Sequence, residues 1–213
     1  MKREALLVVG LVGSVMTWNL AYADIIIKSG TVQTQELIDG SAHYLIPGNN
    51  WDEIGFFAYG DTQLGKADIN LKNKSPLTCG VLGKFNGGSS LVAVPNLGNI
   101  PFPNLRHVLT CGESRLNTNG DNVTEASFNP PPFLGGPICS FNITEKLNVV
   151  APIIDDPSTG LRTPLNTGIF ANVKGGAIIV KGTINSCVRP GQNSFIVQSG
   201  ILCETDTCLN SLP

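Results

Sequence analysis

The sequence predicts an all-β protein: a disulfide-stapled sandwich or irregular barrel with long Pro/Gly-rich loops and an extended N-terminal strand. Three observations carry that reading. Runs rich in Ile, Val and Thr recur every eight to fifteen residues between clusters of Gly, Asn and Pro, which is the spacing of short strands joined by turns. No segment beyond residue 23 holds an amphipathic helical stripe of twelve residues or more. All six cysteines, Cys79, Cys111, Cys139, Cys187, Cys203 and Cys208, lie beyond residue 23 and are even in number.

The N-terminus reads as a leader. Met1-Lys2-Arg3-Glu4 is followed by an apolar stretch from Ala5 to Met16 and by Ala21-Tyr22-Ala23. A basic start, a short greasy middle and a small-x-small site are the order of a secretory signal. The middle is too short and too interrupted by Gly10, Gly13 and Ser14 to span a bilayer stably, since spanning takes roughly 20 apolar residues. Cleavage after Ala23 leaves residues 24–213, long enough to bury roughly 70% of the extended-chain surface. The expected location is the cell surface or the medium, and no stable membrane span is expected after the leader is removed. Such a compartment is oxidising, so three disulfides are expected. Fifteen pairings are possible; Cys203–Cys208 has the most local support because only four residues separate the two.

Residues 24–38 form the extended N-terminal strand, opening with Ile25-Ile26-Ile27 and continuing through Val32. β-Branched residues favour a strand, and the interleaved Thr and Gln imply one wet face. Leaving three isoleucines in water is costly, at about 1.5–3 kcal/mol each. The segment therefore either packs into its own body or completes the sheet of a neighbouring copy, and Ile25, Ile26, Ile27 and Val32 are the candidate subunit interface. An interior position for this strand in its own sheet excludes exchange.

The β-rich body spans 39–213. Ala67 to Leu71, Leu91 to Val94, Lys146 to Ile154, Ala177 to Ile184 and Phe195 to Leu202 read as strands. Residues 96–137 hold Pro101, Pro103, Pro130, Pro131, Pro132 and Pro137 and are expected to be irregular, with at most a turn or two of helix over Leu105 to Thr110.

Charge is sparse. Asp, Glu, Lys and Arg make up 14% of the chain, against ~25% in typical domains. The formal net charge is −2, and removing the leader makes it −3. With no run of basic residues, nucleic acid is not an expected partner. Copies of itself and surface glycans are.

No catalytic or cofactor signature stands out. Ser114 lacks the flanking glycines of a nucleophile elbow. The glycines at 87–88 are not closed by the Lys-Ser or Lys-Thr of a phosphate loop. His43 and His107 have no metal-ligand spacing. Cys111 lies four residues from His107, but an even cysteine set in an exported chain reads as oxidised. Asp121 with Asp155 and Asp156 matches no calcium loop. Trp51, Tyr59 and Phe102 are the candidate platform for a sugar, beside Asp52, Glu53, Asp61 and Asp68. Asn73, Asn122 and Asn142 head Asn-x-Ser/Thr sequons. The expected function is a non-enzymatic extracellular structural protein, a filament or matrix subunit joined by strand addition. The alternative is a monomeric carbohydrate-binding or adhesion domain.

Overall fold

The structure, a computed structural model, describes residues 24–37, 43–44, 57–58, 62–128, 140–156, 161–185 and 191–212. The described strands are β1 (Ile25–Leu37), β2 (His43–Tyr44), β3 (Phe57–Ala58), β4 (Thr62–Leu71), β5 (Leu77–Val94), β6 (Gly98–Cys111), β7 (Ser114–Thr118), β8 (Asn122–Phe128), β9 (Ser140–Val150), β10 (Ile153–Asp156), β11 (Leu161–Pro164), β12 (Gly175–Asn185) and β13 (Gly191–Cys203). A one-turn helix, α1 (Asp206–Leu209), follows.

Eight of these strands close an antiparallel barrel in the order β1-β4-β5-β6-β7-β9-β12-β13, with β13 returning to β1. Neighbours in space are neighbours in sequence, so the barrel is an up-and-down meander. Two small hairpins, β2–β3 and β10–β11, are inserted into it. β8 runs along β9 beyond the point where β7 ends.

Closure decides the role of the N-terminal strand. β1 pairs with β13 from Ile25↔Leu202 to Glu36↔Gly191, and on its other edge with β4 from Ile27↔Leu71 to Leu37↔Thr62. It is an interior strand of its own sheet, the first of the two placements the sequence left open, and neither of its edges is free for a neighbour. Its side chains are occupied as well: Ile25 and Ile27 are buried in the core, Ile26 is half-buried, and Val32 packs against the core.

The period-2 pattern places apolar side chains inside and polar ones outside. Thr31, Gln33 and Gln35 of β1, Lys66, Asp68 and Asn70 of β4, and Gln192, Ser194 and Gln198 of β13 are exposed, with Leu64, Ile196 and Ile201 as apolar exceptions on the same strands. A lipid-facing barrel carries the reverse, an outward apolar band. Among the described residues no helix is long and apolar enough to cross a membrane.

The proline-rich stretch is a correction. Residues 98–128 hold three strands, and Leu105 to Thr110 is strand, not helix. Pro101 and Pro103 are tolerated because of where β6 stands. They pair with Leu91 and Ser89 of β5 on one edge. On the other edge pairing begins only at the Leu105↔Asp121 bridge, beyond both prolines. The missing N–H groups thus fall where no ladder runs, the placement in which a strand accepts proline.

Two disulfides are described. Cys79–Cys111 staples β5 to β6, and Cys203–Cys208 ties the end of β13 to α1. The second is the pairing expected from proximity. In the chain-entropy picture the first, closing 32 residues, contributes about 3–4 kcal/mol and the second about 2 kcal/mol. Cys139 and Cys187 lie outside the described residues.

Candidate functional site

The strand from Ser114 to Phe128 is broken at residues 119–121, where Gly120 adopts a positive φ of 68°. That break interrupts the ladder to β9, and Asp121 repairs it. Its backbone exchanges hydrogen bonds with Leu105. Its fully buried carboxylate accepts from the backbone N–H of Asn148 at 2.7 Å and from the Thr118 hydroxyl, and contacts His107 Nδ1 at 2.7 Å. The Thr118 oxygen in turn accepts the His107 N–H at 2.8 Å. One carboxylate therefore ties β6, β7 and β9 together at the weakest seam of the barrel, where β7 and β9 share only two register pairs.

His107 points inward. Its Nε2 lies 3.3 Å from Gln63 Oε1. Gly83, across the strand pair, makes room for the ring: a Cβ there would stand 2.8 Å from two imidazole atoms. Burial pulls the imidazole pKa down, but the Asp121 bond and the charges of Glu145 and Asp121 outweigh it, and the net shift is upward. An imidazolium donates from both nitrogens, which suits an Asp121 oxygen on one side and a Gln63 oxygen on the other.

Glu145 of β9 is 6% exposed. Burial pushes its carboxyl up to about 7, opposed by His107 and reinforced by Asp121. Glu145, His107, Gln63 and Thr34 share a cavity of about 30 Å³ with apolar side chains including Phe195. That is room for one or two waters.

The Asp121–His107 pair does not extend to a nucleophile. Cys111 faces inward four residues along β6 and is bonded to Cys79. The only clustered His, Cys, Asp and Glu groups among the described residues with metal-ligand spacing are Asp24, Cys203 and Cys208, and those two sulfurs are bonded to each other. Asp121 is committed to the latch and is not available to a calcium site with Asp155 and Asp156.

Larger concave features lie on the outside, one of about 620 Å³ over β9, β12 and β13 and a more polar one over β5, β6 and β7. A groove of about 440 Å³ runs over the outer face of β5, β6 and β7 and is walled by Pro152 and Leu165, which flank the β10–β11 hairpin. Leu165 N–H donates to the Pro152 carbonyl at 2.9 Å. Asn117, on the groove floor, donates from Nδ2 to the Leu165 carbonyl and to Asn166 Oδ1, both at 3.0 Å. Floor and wall are thus bolted together. His107 and Thr118 lie in the wall between groove and interior, so the Asp121 latch stiffens the floor from behind.

Of the sugar-platform residues, Phe102 is fully buried and packs edge-on against Phe141 at 5.5 Å. It is core, a correction that follows from its packing against Phe141. Trp51, Tyr59, Asp52, Glu53 and Asp61 lie outside the described residues, as does the side chain of His43. Asp68 is exposed and accepts from the Thr78 hydroxyl at 2.6 Å. The groove was not foreseen in the sequence, because its residues come from three strands and meet only through register. No protein-family model, no curated protein and no solved structure matches this chain.

Proposed function

We propose that the protein is a non-enzymatic binding or adhesion domain that works outside the cytoplasm, on a surface or in the medium, as a self-contained barrel. The observation that carries this reading is the outer groove of about 440 Å³, whose wall is hydrogen-bonded to its floor through Asn117 and Asn166. A preformed concavity needs little ordering when a ligand enters, and that favours binding. The leader-like residues 1–23 and the disulfides support an oxidising compartment. A filament built by strand addition loses its mechanism, because β1 is paired on both edges within its own chain. Trp51 and Tyr59 stay as sequence-derived candidates for sugar stacking.

The test is to express the full chain with its own leader and collect the exported product. Mass spectrometry reads its first residue and free thiols, and a glycan array reads its ligands. The expected product starts at Asp24, has no free thiol and binds a restricted set of glycans. A product that keeps Met1 with reduced cysteines contradicts the compartment; an exported product that binds nothing on the array contradicts the binding role.

A further inference from the structure

We infer that the outer groove is a site for acidic sugar chains, carrying sulfate or carboxylate groups, held by Lys84, Arg106 and Arg115. This rests on the binding reading above and names its ligand class.

Register brings the three cations to one groove. Lys84 stands directly opposite Arg106 in the β5–β6 pair. Arg115 of β7 stands opposite Thr110, four residues along β6 from Arg106, a separation along the strand of roughly 13 Å. All three are exposed and line the same groove. Like charges directly opposite one another destabilise a strand pair, and among the described residues no ion pair relieves this one. Among the described residues no carboxylate lies within ion-pair reach of Lys84, Arg106 or Arg115, and none of the groove's lining residues is acidic. The concentration of cations is local, since the whole chain is charge-poor and net negative.

Unpaired cations in a preformed concavity fit an anionic ligand, and arginine offers a planar fork for carboxylate or sulfate oxygens. The spread along β6 exceeds what one inorganic ion can bridge and suits an oligomer with repeated acidic groups. Nucleic acid fits less well. The groove's lining holds no Phe, Tyr or Trp for base stacking, and a long phosphate track would meet a net negative protein.

The exported chain is passed over immobilised heparin, polygalacturonate and neutral dextran, with single-stranded DNA as a competitor. Three proteins are compared: wild type; a groove variant carrying Lys84→Gln, Arg106→Gln and Arg115→Gln; and a control carrying Lys28→Gln, Lys66→Gln and Lys181→Gln, the same charge change at exposed positions elsewhere. Expected is salt-sensitive binding to heparin, polygalacturonate or both, weakened about tenfold or more in the groove variant and less than about twofold in the control. Which matrix binds tells sulfate from carboxylate recognition. The groove variant is expected to melt no lower than wild type, because a like-charge pair has been removed. Equal losses in both variants would reduce the effect to net charge and overturn the site. Competition by DNA at or below the heparin concentration would overturn the ligand class. Binding to dextran alone would overturn the acidic ligand while leaving the binding role intact, and binding to no glycan here or on the array would remove both.

Discussion

Glu145 and His107 titrate inside the barrel in the same sense. Glu145 keeps its proton to about pH 7 when folded and releases it near 4.5 when unfolded, so its contribution to stability falls as pH rises through that window. The folded His107 pKa lies above its ordinary 6.5. Its contribution is full below 6.5 and is lost as pH rises through the raised value. Both make the folded state bind more protons than the unfolded state, and stability therefore falls with rising pH. The Glu145 shift corresponds to on the order of 3 kcal/mol. The melting temperature is expected to be higher at pH 5 than at pH 8 by roughly 5–10 °C, followed by circular dichroism, and Glu145→Gln should flatten that slope. A steeper slope in the variant would show that other groups set the dependence. Asp121→Ala leaves a buried imidazolium and the Asn148 N–H without their acceptor, and is expected to cost about 3–5 kcal/mol in a denaturant titration. The sequence placed neither effect. Asp121 is weighed there only as a calcium ligand with Asp155 and Asp156, and its burial is visible only once β6, β7 and β9 meet around it.

At the scale of elements, strands with clean alternation were legible and β6 was not. β13 and β12 announce themselves by runs of Ile and Val. β6 carries the same alternation, with Leu105, His107, Leu109 and Cys111 inward and Arg106 and Thr110 outward. Pro101 and Pro103 mask it, because proline counts against a strand unless its unpaired edge is known. The groove was hidden for a related reason: Lys84 and Arg115 are far apart in sequence and are joined by register through β6. The repeated Leu-Gly-Lys at 64–66 and 82–84 is another such case, since Leu64 and Leu82 are register partners. Gly83 in the second copy has a steric duty, and Gly83→Ala is expected to push the His107 ring against its Asp121 bond and cost about 1–3 kcal/mol by thermal or denaturant unfolding. A third staple is expected between Cys139 and Cys187, because the other four cysteines are already bonded to one another. Peptide mapping without reductant should recover a Cys139–Cys187 peptide; a Cys139 or Cys187 found linked to any of the other four would contradict that expectation.

At the scale of the whole molecule, closure is what separates a barrel complete in one chain from one completed by a neighbour's strand. The sequence gauged the strand content, the apolar N-terminal strand and the Cys203–Cys208 staple. It left the partner of β1 undecided, because Ile25 and Ile27 satisfy their burial equally well in a neighbour's sheet. What settles the matter in the fold is a non-local pairing, Ile25↔Leu202 through Glu36↔Gly191, which joins the two ends of the chain and has no local signature. The most direct test is amide hydrogen exchange on dilute, monomeric mature protein. A barrel closed in cis predicts that the β1 amides from Ile26 to Thr34 are protected as strongly as those of β13 and independently of protein concentration. β1 amides that exchange at loop rates in the monomer and gain protection only as concentration rises would contradict it.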